Sequence, residues 1–278
     1  MSQKQKFTVM TWNILAPVWI RKSVYYCIPD NLLNTENRIN KIASHITKTN
    51  PDILCLQEVQ PSTLNILVEK LNNRYKVEGT CYNKDHYFAH WLEDKDDAYC
   101  PDSLKEQNGV ALLTRDDFTG DIKTITPHEW DTGNVNMTFK LNDAHVFLCH
   151  LDAQDDADSS KELQTILQSV DVVLGDFNIV SSKLKTILDD NAINTKTNYS
   201  TAIDLESDVI TCADTYISEF LDNVVVLSRD ESSKDNNKVS LTRVSNISVR
   251  HTNYVKDSVT LFESVGSDHL PIVCMLHI

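Results

Sequence analysis

Four apolar runs of the sequence each end on side chains that can bind a metal ion or transfer a proton. Apolar runs of this kind predict buried strands, and functional residues collect in the loops at one end of the strands in layered folds. If the four strands run the same way, their ends form one cluster. Its members are Asn13 after "VMTW", Gln57 and Glu58 after "DILCL", His150 after "VFLC", and Asp176 and Asn178 in "VVLGDFN".

Two further acids and a histidine stand beside apolar runs late in the sequence. Asp222 opens "DNVVVL", and Asp268 and His269 come just before "PIVCML". A histidine beside an aspartate is a common way to build a base or an oriented hydrogen-bond donor. Carboxylate and amide oxygens without thiolates suit Mg²⁺ or Mn²⁺ better than zinc. Glu58, Asp268 and Asn13 are therefore the candidate metal ligands.

A divalent ion, a histidine–aspartate pair and amide donors together suit the hydrolysis of a phosphate ester. The ion neutralises phosphate oxygens, a carboxylate or the pair takes a proton from water, and an amide stabilises the developing charge. Each motif also has an ordinary structural explanation: G-D-x-N as a tight turn, Asn13 as a strand-end cap, His150 as a hydrogen-bonded core residue, Asp222 as a strand start. Scarce glycines stand at motif positions, where backbone geometry then matters: Gly109, Gly175 and Gly266.

Eight strand-like runs and three helical patterns predict the elements that position these residues. The strands are rich in Val, Ile, Leu and Thr: "FTVMTWNIL", "DILCLQEV", "GVALLTR", "NMTFKL", "HVFLCHLD", "DVVLGDFN", "LDNVVVLS" and "PIVCMLHI". The helices have apolar residues at i, i+3, i+4 and i+7 over residues 39–46, 64–71 and 163–170, the last after a capping box of Ser159 and Glu162. This pattern predicts a sheet-on-sheet core covered by helices, in one domain over residues 1–278.

The net charge of −14 limits the ligands that this chain can bind. It arises from 26 basic and 40 acidic residues, and such a field repels polyanions at long range. Proteins that coat duplex DNA are usually basic, so any nucleic-acid activity here rests on a local site, a metal or a short single-stranded substrate. Hydrophobic residues make up 41% of the chain, which is enough for a sizeable core.

Seven cysteines without a C-x-x-C motif predict a reduced, intracellular protein of the cytoplasm or nucleus. Cys55, Cys149 and Cys274 lie inside apolar runs, as core residues do. The N-terminus lacks the apolar stretch of a signal peptide, and no run is long enough to span a bilayer. We therefore expect no membrane association.

Two polar stretches fall outside the predicted elements. Residues 83–107 carry seven acids and the aromatics Tyr87, Phe88, Trp91 and Tyr99, and form either a solvated excursion or a lid over substrate. Residues 229–238 predict a hairpin tip. The basic residues of 229–256, which include Arg243, form either a rim for phosphates or a charged surface hairpin.

The ordered motifs resemble those of the endonuclease/exonuclease/phosphatase superfamily, which includes deoxyribonuclease I, AP endonucleases and inositol-polyphosphate phosphatases. The motifs are T-W-N, L-Q-E-V, N-G-V-A-L-L, C-H-L, G-D-F-N, L-D-N-V and S-D-H-L-P-I. The resemblance implies a four-layer α/β sandwich, with two central, mostly antiparallel sheets flanked by helices. It also implies a phosphodiesterase or phosphomonoesterase that uses Mg²⁺, or Mn²⁺ in its place, with Glu58 as main ligand, Asn13 beside it and Asp268 as a second contact.

The same resemblance implies roles for the other motif residues. Asp176 would orient or deprotonate the attacking water, and Asn178 would bind the phosphate through its amide. His150 would contact the scissile phosphate or the leaving group. His269 would contact the phosphate or act as base, with Asp222 as its partner.

Within the superfamily, the segment "YYCIPDNLLNTENRINKI" resembles the deadenylase/nocturnin branch. Members of that branch carry an aromatic-Cys-Pro segment and an arginine-containing helix before Q-E-V. The chain departs from the branch at Lys161, where arginine is common, and at Ile217, where deadenylases have a phenylalanine that stacks on a base. The second departure leaves a preference for poly(A) open, and no protein partner is implied.

Three functions are compatible with these residues. The first is a metal-dependent 3′-exoribonuclease on single-stranded RNA, with aromatic stacking and basic contacts to substrate. The second is a related hydrolase, either a phosphatase of a small molecule or a DNA-repair phosphodiesterase of the AP-endonuclease type. The third is an inactive relative that serves as a binding module. Candidate substrate-binding residues are Arg115, Tyr216, Phe220 and Arg243.

Overall fold

The structure, a computed structural model, has two six-stranded β-sheets among the residues that it describes. These residues are 4–83, 95–130, 133–153, 156–195, 197–201, 209–210, 212–213, 218–219, 221–229, 239–243, 249–250 and 254–278. The strands are β1 (Lys6–Asn13), β2 (Ile53–Val59), β3 (Tyr75–Tyr82), β4 (Gly109–Arg115), β5 (Ile122–Glu129), β6 (Val135–Leu141), β7 (Ala144–His150), β8 (Val172–Asp176), β9 (Thr197–Thr201), β10 (Val209–Ile210), β11 (Cys212–Ala213), β12 (Ser218–Glu219), β13 (Asp222–Arg229), β14 (Ser240–Arg243), β15 (Val249–Arg250) and β16 (Ile272–His277). The helices are α1 (Asp30–Leu33), α2 (Thr35–Thr49), α3 (Pro61–Lys70), α4 (Asp156–Leu167), α5 (Ser181–Thr195) and α6 (Tyr254–Ser264).

Each large sheet contains one parallel pair of strands, and these pairs carry the predicted site residues. The first sheet has the order β14-β16-β1-β2-β4-β3, and the second has the order β5-β6-β7-β8-β13-β9. Only β1 with β2 and β7 with β8 run parallel in these sheets, where Asn13 pairs with Gln57 and His150 pairs with Asp176. The carboxyl ends of each parallel pair therefore meet at one edge, as predicted.

The antiparallel neighbours bring the starts of their own strands to that same edge. β13 begins with Asp222 opposite Asp176, and β4 begins with Gly109 opposite Val59. β16 begins next to the end of β1, so the loop that carries Asp268 also lies there. This explains why some site residues follow strands in the sequence while others precede them.

Alternation along β1 fixes which side chains face the second sheet. Phe7 and Val9 belong to the core between the sheets, whereas Met10 and Trp12 pack with the helices on the outer face. Successive side chains of a strand point to opposite faces. Asn13 continues the first series, so it points between the sheets, toward the end of β8.

Helices cover both outer faces, which confirms the predicted four-layer α/β sandwich with two mostly antiparallel sheets. Ile39, Ile42 and Leu64 of α2 and α3 pack on the first sheet. Leu163 of α4 and Leu184 of α5 pack with the second sheet. The prediction of one domain over residues 1–278 stays a prediction.

The helical elements differ from the sequence patterns in two respects. α4 begins at Asp156, three residues before Ser159, and the Ser159 hydroxyl donates to the carbonyl of Asp152, so the predicted capping box is wrong. The patterns also missed α5 and α6. Their sequences carry polar or β-branched residues, which give them a weak preference for the helix. Packing of residues such as Phe262, which is fully buried, stabilises the helices in spite of that weak preference.

The acidic segment is packed where the structure describes it. Ala98 and Leu104 are buried against Ala16 and Val18, so residues 95–107 are anchored to the segment after β1, although Asp96, Asp102 and Lys105 are exposed. Residues 84–94 and 230–238 lie outside the described residues, and the lid and hairpin-tip interpretations of these stretches stay predictions.

All seven cysteines are free thiols. Among the described residues, no helix is both long enough and apolar enough to cross a lipid bilayer.

Candidate active site

Asn13, at the end of β1, lies between two carboxylates from different sheets. Its Nδ2 donates to Oε1 of Glu58 at 2.8 Å and to Oδ2 of Asp176 at 2.9 Å. Its Oδ1 accepts the backbone N–H of Leu15 at 3.0 Å. Because carboxylates only accept hydrogen bonds, the network turns the amide nitrogen toward them. Asn13 therefore holds the two carboxylates in place, and its role as a metal ligand stays a prediction.

Glu58 is the extra residue of a β-bulge. Gln57 and Val59 both pair with β4, and Glu58 between them has a φ of 54°, in the left-handed region. Bulges re-aim side chains beside active sites, and such backbone strain at a non-glycine residue is typical of functional positions. The second oxygen of Glu58, Oε2, accepts the backbone N–H of Ala16 at 2.9 Å. The bulge and these contacts fix Glu58 at the edge of the sheet.

Asp176 ends β8 and is preceded by a glycine that the packing requires. Gly175 has a φ of 137°, and a Cβ there would lie 2.0 Å from the carbonyl oxygen of Cys149. Oδ1 of Asp176 accepts the backbone N–H of Asn178 at 3.0 Å. Nδ2 of Asn178 donates to the carbonyl of Leu151 at 2.8 Å. The G-D-F-N segment is thus a turn that also aims Asp176 at the site.

His269 is paired with Asp222, as the sequence predicts. Nδ1 of His269 lies 2.8 Å from Oδ2 of Asp222. Burial lowers the pKa of His269, but the charge of Asp222, with smaller contributions from Cys212 and Asp176, outweighs it and holds that pKa well above its usual value. A protonated imidazole donates from both nitrogens, so His269 can offer Nε2 to an anion.

Two histidines converge on the same carboxylate oxygen. Nε2 of His269 lies 3.7 Å from Oδ2 of Asp176, and Nε2 of His150 lies 3.9 Å from the same atom. Nε2 of His150 is also 3.8 Å from Oε1 of Glu58. These distances are too long for direct hydrogen bonds. They suit an arrangement in which the side chains contact one oxygen atom bound between them.

Asp268 receives a hydrogen bond from an aromatic residue of the segment after β1. The hydroxyl of Tyr25 donates to Oδ2 of Asp268 at 2.6 Å, and Tyr25 is buried with its ring edge-on to Phe262 at 5.4 Å. Hydrogen bonds to an ionised acceptor are the stronger kind. Tyr25 therefore orients Asp268.

We expect Tyr25→Phe to lower kcat about tenfold, because a hydrogen bond to a charged group contributes roughly 1.5–3 kcal/mol and Asp268 loses its orientation without it. Steady-state kinetics across a Mg²⁺ titration measures the effect, with Tyr26→Phe as the matched control. Tyr26 is the next residue and is 67% exposed. A Tyr25→Phe enzyme with the kcat of the control would show that this contact does not matter for turnover.

Arg38 of α2 is fully buried and supports the two loops that carry Asn13 and Asp268. Its guanidinium donates to the carbonyls of Ile14, Leu15 and Gly266. Burial lowers the pKa of Arg38 to about 10, against the opposing charge of Asp268, so it remains charged at neutral pH.

We expect Arg38→Met to destabilise the protein by about 3 kcal/mol, because the substitution leaves buried carbonyls without donors. Urea unfolding measures the free energy, and Arg74→Met, at an exposed arginine, is the control. Equal stability of the two variants would contradict this role of Arg38.

The sequence comparison places these residues in a known family. Residues 10–203 match the profile of the endonuclease/exonuclease/phosphatase family. The chain belongs to the endonuclease/exonuclease/phosphatase family. This membership supports phosphoric ester hydrolysis as its chemistry.

Curated relatives fall in the predicted branch of this family. The chain is 29% identical over 123 residues to the CCR4-Not complex 3′-5′-exoribonuclease subunit Ccr4 of Saccharomyces cerevisiae, covering 42% of this chain and 14% of that protein. It is 37% identical over 67 residues to Protein angel of Drosophila melanogaster, covering 23% of this chain and 19% of that protein. The matches thus span less than a fifth of either relative.

Solved structures share the fold over nearly the whole chain. ANGEL2, described as a 2′,3′-cyclic phosphatase and bound to adenosine-2′,3′-vanadate, superimposes with a TM-score of 0.69 at 16% identity, covering 99% of this chain and 96% of that one. The human Nocturnin catalytic domain with bound sulfate gives a TM-score of 0.59 at 19% identity, covering 98% and 93%. These neighbours, with the Ccr4 match, agree with the predicted deadenylase/nocturnin-like branch.

The side chains of the candidate site include ligand atoms that can bind a divalent cation. One ligand atom each from Asp176, Asp222 and His269 lie within 4.8 Å of one another. Burial raises the pKa of Glu58, and the charge of Asp268 adds to this effect while His150 opposes it. Buried carboxylates that repel one another favour a bound cation, which restores their charged forms.

One predicted substrate contact, Arg115, does not join the site. Antiparallel pairing puts Arg115, at the end of β4, beside the start of β2, at the opposite edge from Glu58, and Arg115 pairs there with Asp52 at 2.8 Å. The structure therefore corrects its predicted role in substrate binding. Tyr216 and Phe220 lie outside the described residues, as does Ile217. Arg243 ends the edge strand β14, and its substrate role stays a prediction.

Sequence reasoning assigned no site role to Tyr25, Arg38 or Asn136. Oδ1 of Asn136, which is fully buried in β6, accepts the backbone N–H of His150 at 2.6 Å. Each residue acts on a partner distant in sequence, for example 243 positions for Tyr25 and Asp268. The segment that resembles the deadenylase/nocturnin branch contains both Tyr25 and Arg38, but nothing local in it indicates which partner either residue contacts.

Proposed function

We propose that this chain is a divalent-metal-dependent phosphodiesterase that shortens single-stranded RNA from its 3′ end. The observation that carries the proposal is the convergence of His150 and His269 on Oδ2 of Asp176, with Glu58 bound to the same Asn13 amide as Asp176. The relative Ccr4, a 3′-5′-exoribonuclease subunit, supports RNA as the substrate class. The net charge of −14 favours a short single strand over a duplex.

In this proposal Glu58 and Asp268 hold Mg²⁺, or Mn²⁺ in its place. When bound, the ion would neutralise the charge of the phosphate oxygens and the negative charge that develops during hydrolysis. Glu58 is held for this by Asn13 and Ala16, and Asp268 by Tyr25.

The protein's own groups would divide the remaining work. Asp176, fixed on both oxygens by Asn13 and by the N–H of Asn178, orients the attacking water and accepts its proton. His269, kept protonated by Asp222, donates from Nε2 to the phosphate. His150, whose Nε2 lies 3.9 Å from Oδ2 of Asp176, would contact the leaving group.

Asn178 would contribute to phosphate binding through the amide group that the turn after β8 places at the strand end. Its Nδ2 is engaged with Leu151, so this role requires a change of partner when substrate binds. The seven free thiols fit a reducing compartment, and we extend the proposal to an intracellular location.

A second candidate is the opening of a terminal 2′,3′-cyclic phosphate on RNA. The observation in its favour is the superposition on ANGEL2 over 99% of this chain, together with the match to Protein angel. The same hydrolytic groups would act on a phosphodiester closed on the terminal ribose.

One substrate panel separates the candidates. It holds a 5′-labelled A-tail RNA, a mixed-sequence RNA with a 3′-hydroxyl, the same RNA with a 2′,3′-cyclic phosphate, single-stranded DNA, abasic duplex DNA and a nicotinamide dinucleotide phosphate. We expect a ladder that shortens from the 3′ end of RNA. Conversion of the cyclic end alone would favour the second candidate. Intact RNA with cleavage of abasic DNA or the dinucleotide would overturn both.

A further inference from the structure

A cysteine lies beside the proposed catalytic histidine. Cys212 of β11 forms an antiparallel bridge with His269, and the backbone N–H of the next residue, Ala213, donates to the carbonyl of Asp268 at 2.8 Å. These two contacts fix Cys212 against the Asp268–His269 turn.

The three side chains have the spacing of a metal site. One ligand atom each from Cys212, Asp268 and His269 lie within 4.8 Å of one another. Thiolate, imidazole and carboxylate are the ligands of Zn²⁺, which takes three protein ligands and an open fourth position in many sites. Mg²⁺ prefers oxygen ligands and keeps several waters, so a thiolate does not select it. The three residues therefore favour a different metal ion from the one that Glu58 and Asp268 would bind together.

Neighbouring contacts already hold these ligands. Tyr25 donates to Asp268, and Asp222 binds the Nδ1 of His269. Nε1 of Trp12 donates to the carbonyl of His269 at 2.9 Å. Outer-shell partners of this kind orient ligands and tighten metal binding. All three ligands are 4–5% exposed, so an ion bound there would be almost fully enclosed by protein.

We propose that Cys212, Asp268 and His269 form a binding site for a thiophilic divalent cation of the Zn²⁺ type, and that its occupation inhibits hydrolysis. Binding releases the thiol proton of Cys212 and the Nε2 proton of His269 to solvent, which leaves a thiolate and a neutral imidazole as ligands. The ion takes His269 and Asp268 out of their roles toward phosphate and Mg²⁺. The inhibition rests on the function proposed above, whereas the binding does not.

Zn²⁺ binding to the reduced, metal-free full chain tests the site without any substrate. The probe is competition with a chromophoric chelator, and Co²⁺ in place of Zn²⁺ reports a thiolate ligand through its charge-transfer absorption. We expect one tight ion per chain. Cys212→Ser should weaken binding by more than the roughly 10–100-fold that loss of an outer-shell partner causes. Cys274→Ser, at an equally buried thiol in β16, should bind as the wild type does.

Unchanged affinity in Cys212→Ser, or loss of the Co²⁺–thiolate band in Cys274→Ser, would overturn the site. If circular dichroism shows that Cys212→Ser is unfolded, Asp268→Asn takes its place, with the same expected weakening. Inhibition is then measured with Zn²⁺ added to the enzyme in excess Mg²⁺, relative to each variant's own rate without zinc. Tight binding without inhibition would refute the regulatory role, and absence of any hydrolysis would refute the proposed function while leaving the binding result valid.

Discussion

Replacing Asp176 with asparagine will lower kcat by about 10³-fold or more, the combined scale of losing a proton acceptor and a charge-positioning group. Asparagine keeps the shape of the side chain. Its one oxygen can still accept a hydrogen bond from Asn13 or from Asn178. It cannot accept a proton from water at neutral pH. The fold should persist, because the substitution removes one negative charge from a buried group that includes Asp222 and Glu58. Steady-state kinetics and thermal unfolding measure the two quantities.

Asp171→Asn is the matched control, because Asp171 directly precedes the same strand at its other end. There Oδ2 accepts the backbone N–H of His145, far from the site along β8. The control should keep nearly all of the wild-type kcat. If Asp176→Asn stays as active as Asp171→Asn, Asp176 is not the group that activates water.

Replacing Glu58 with glutamine will weaken both metal binding and hydrolysis. Glutamine preserves the length of the side chain, but it lacks the charge that a hard divalent cation requires. We expect the affinity for Mn²⁺ to fall by at least about 10-fold and kcat in Mg²⁺ by about 10³-fold. Electron paramagnetic resonance of free Mn²⁺ measures binding in the absence of substrate, so this result does not depend on finding the substrate.

Glu69→Gln, at an exposed glutamate of α3, controls for the loss of one negative charge. It should bind Mn²⁺ as the wild type does. Wild-type Mn²⁺ affinity in Glu58→Gln would remove Glu58 from the metal site and would leave Asp268 and Asp176 as the remaining candidates.

Strand ends follow from local pattern, so the sequence alone predicts which side chains meet at one edge of the sheets. Asn13, His150 and Asp176 each follow an apolar run, and the two parallel pairs bring those ends to one edge. The same rule wrongly predicted that Arg115 would lie at this edge. Arg115 also ends a strand, but β4 runs antiparallel to β2, and strand direction is a property of the assembled sheet.

Local sequence patterns could not predict the contacts between distant segments. Asn13 turns its nitrogen toward Glu58 and Asp176 only because both carboxylates reach it, one of them from 163 positions away. Cys212 has an unremarkable sequence context, and its importance follows from the bridge to His269. Such arrangements depend on tertiary packing, which outweighs the weak preference of any short segment.

The most direct test of the central claim is hydrolysis of a 5′-labelled single-stranded RNA in Mg²⁺, in EDTA, and in EDTA followed by excess Mg²⁺. The wild type and Asp176→Asn are compared at equal concentration. We predict a 3′-shortening ladder for the wild type that disappears in EDTA, returns with Mg²⁺ and is absent from Asp176→Asn. A ladder that persists in EDTA, or that Asp176→Asn produces at the wild-type rate, would contradict it.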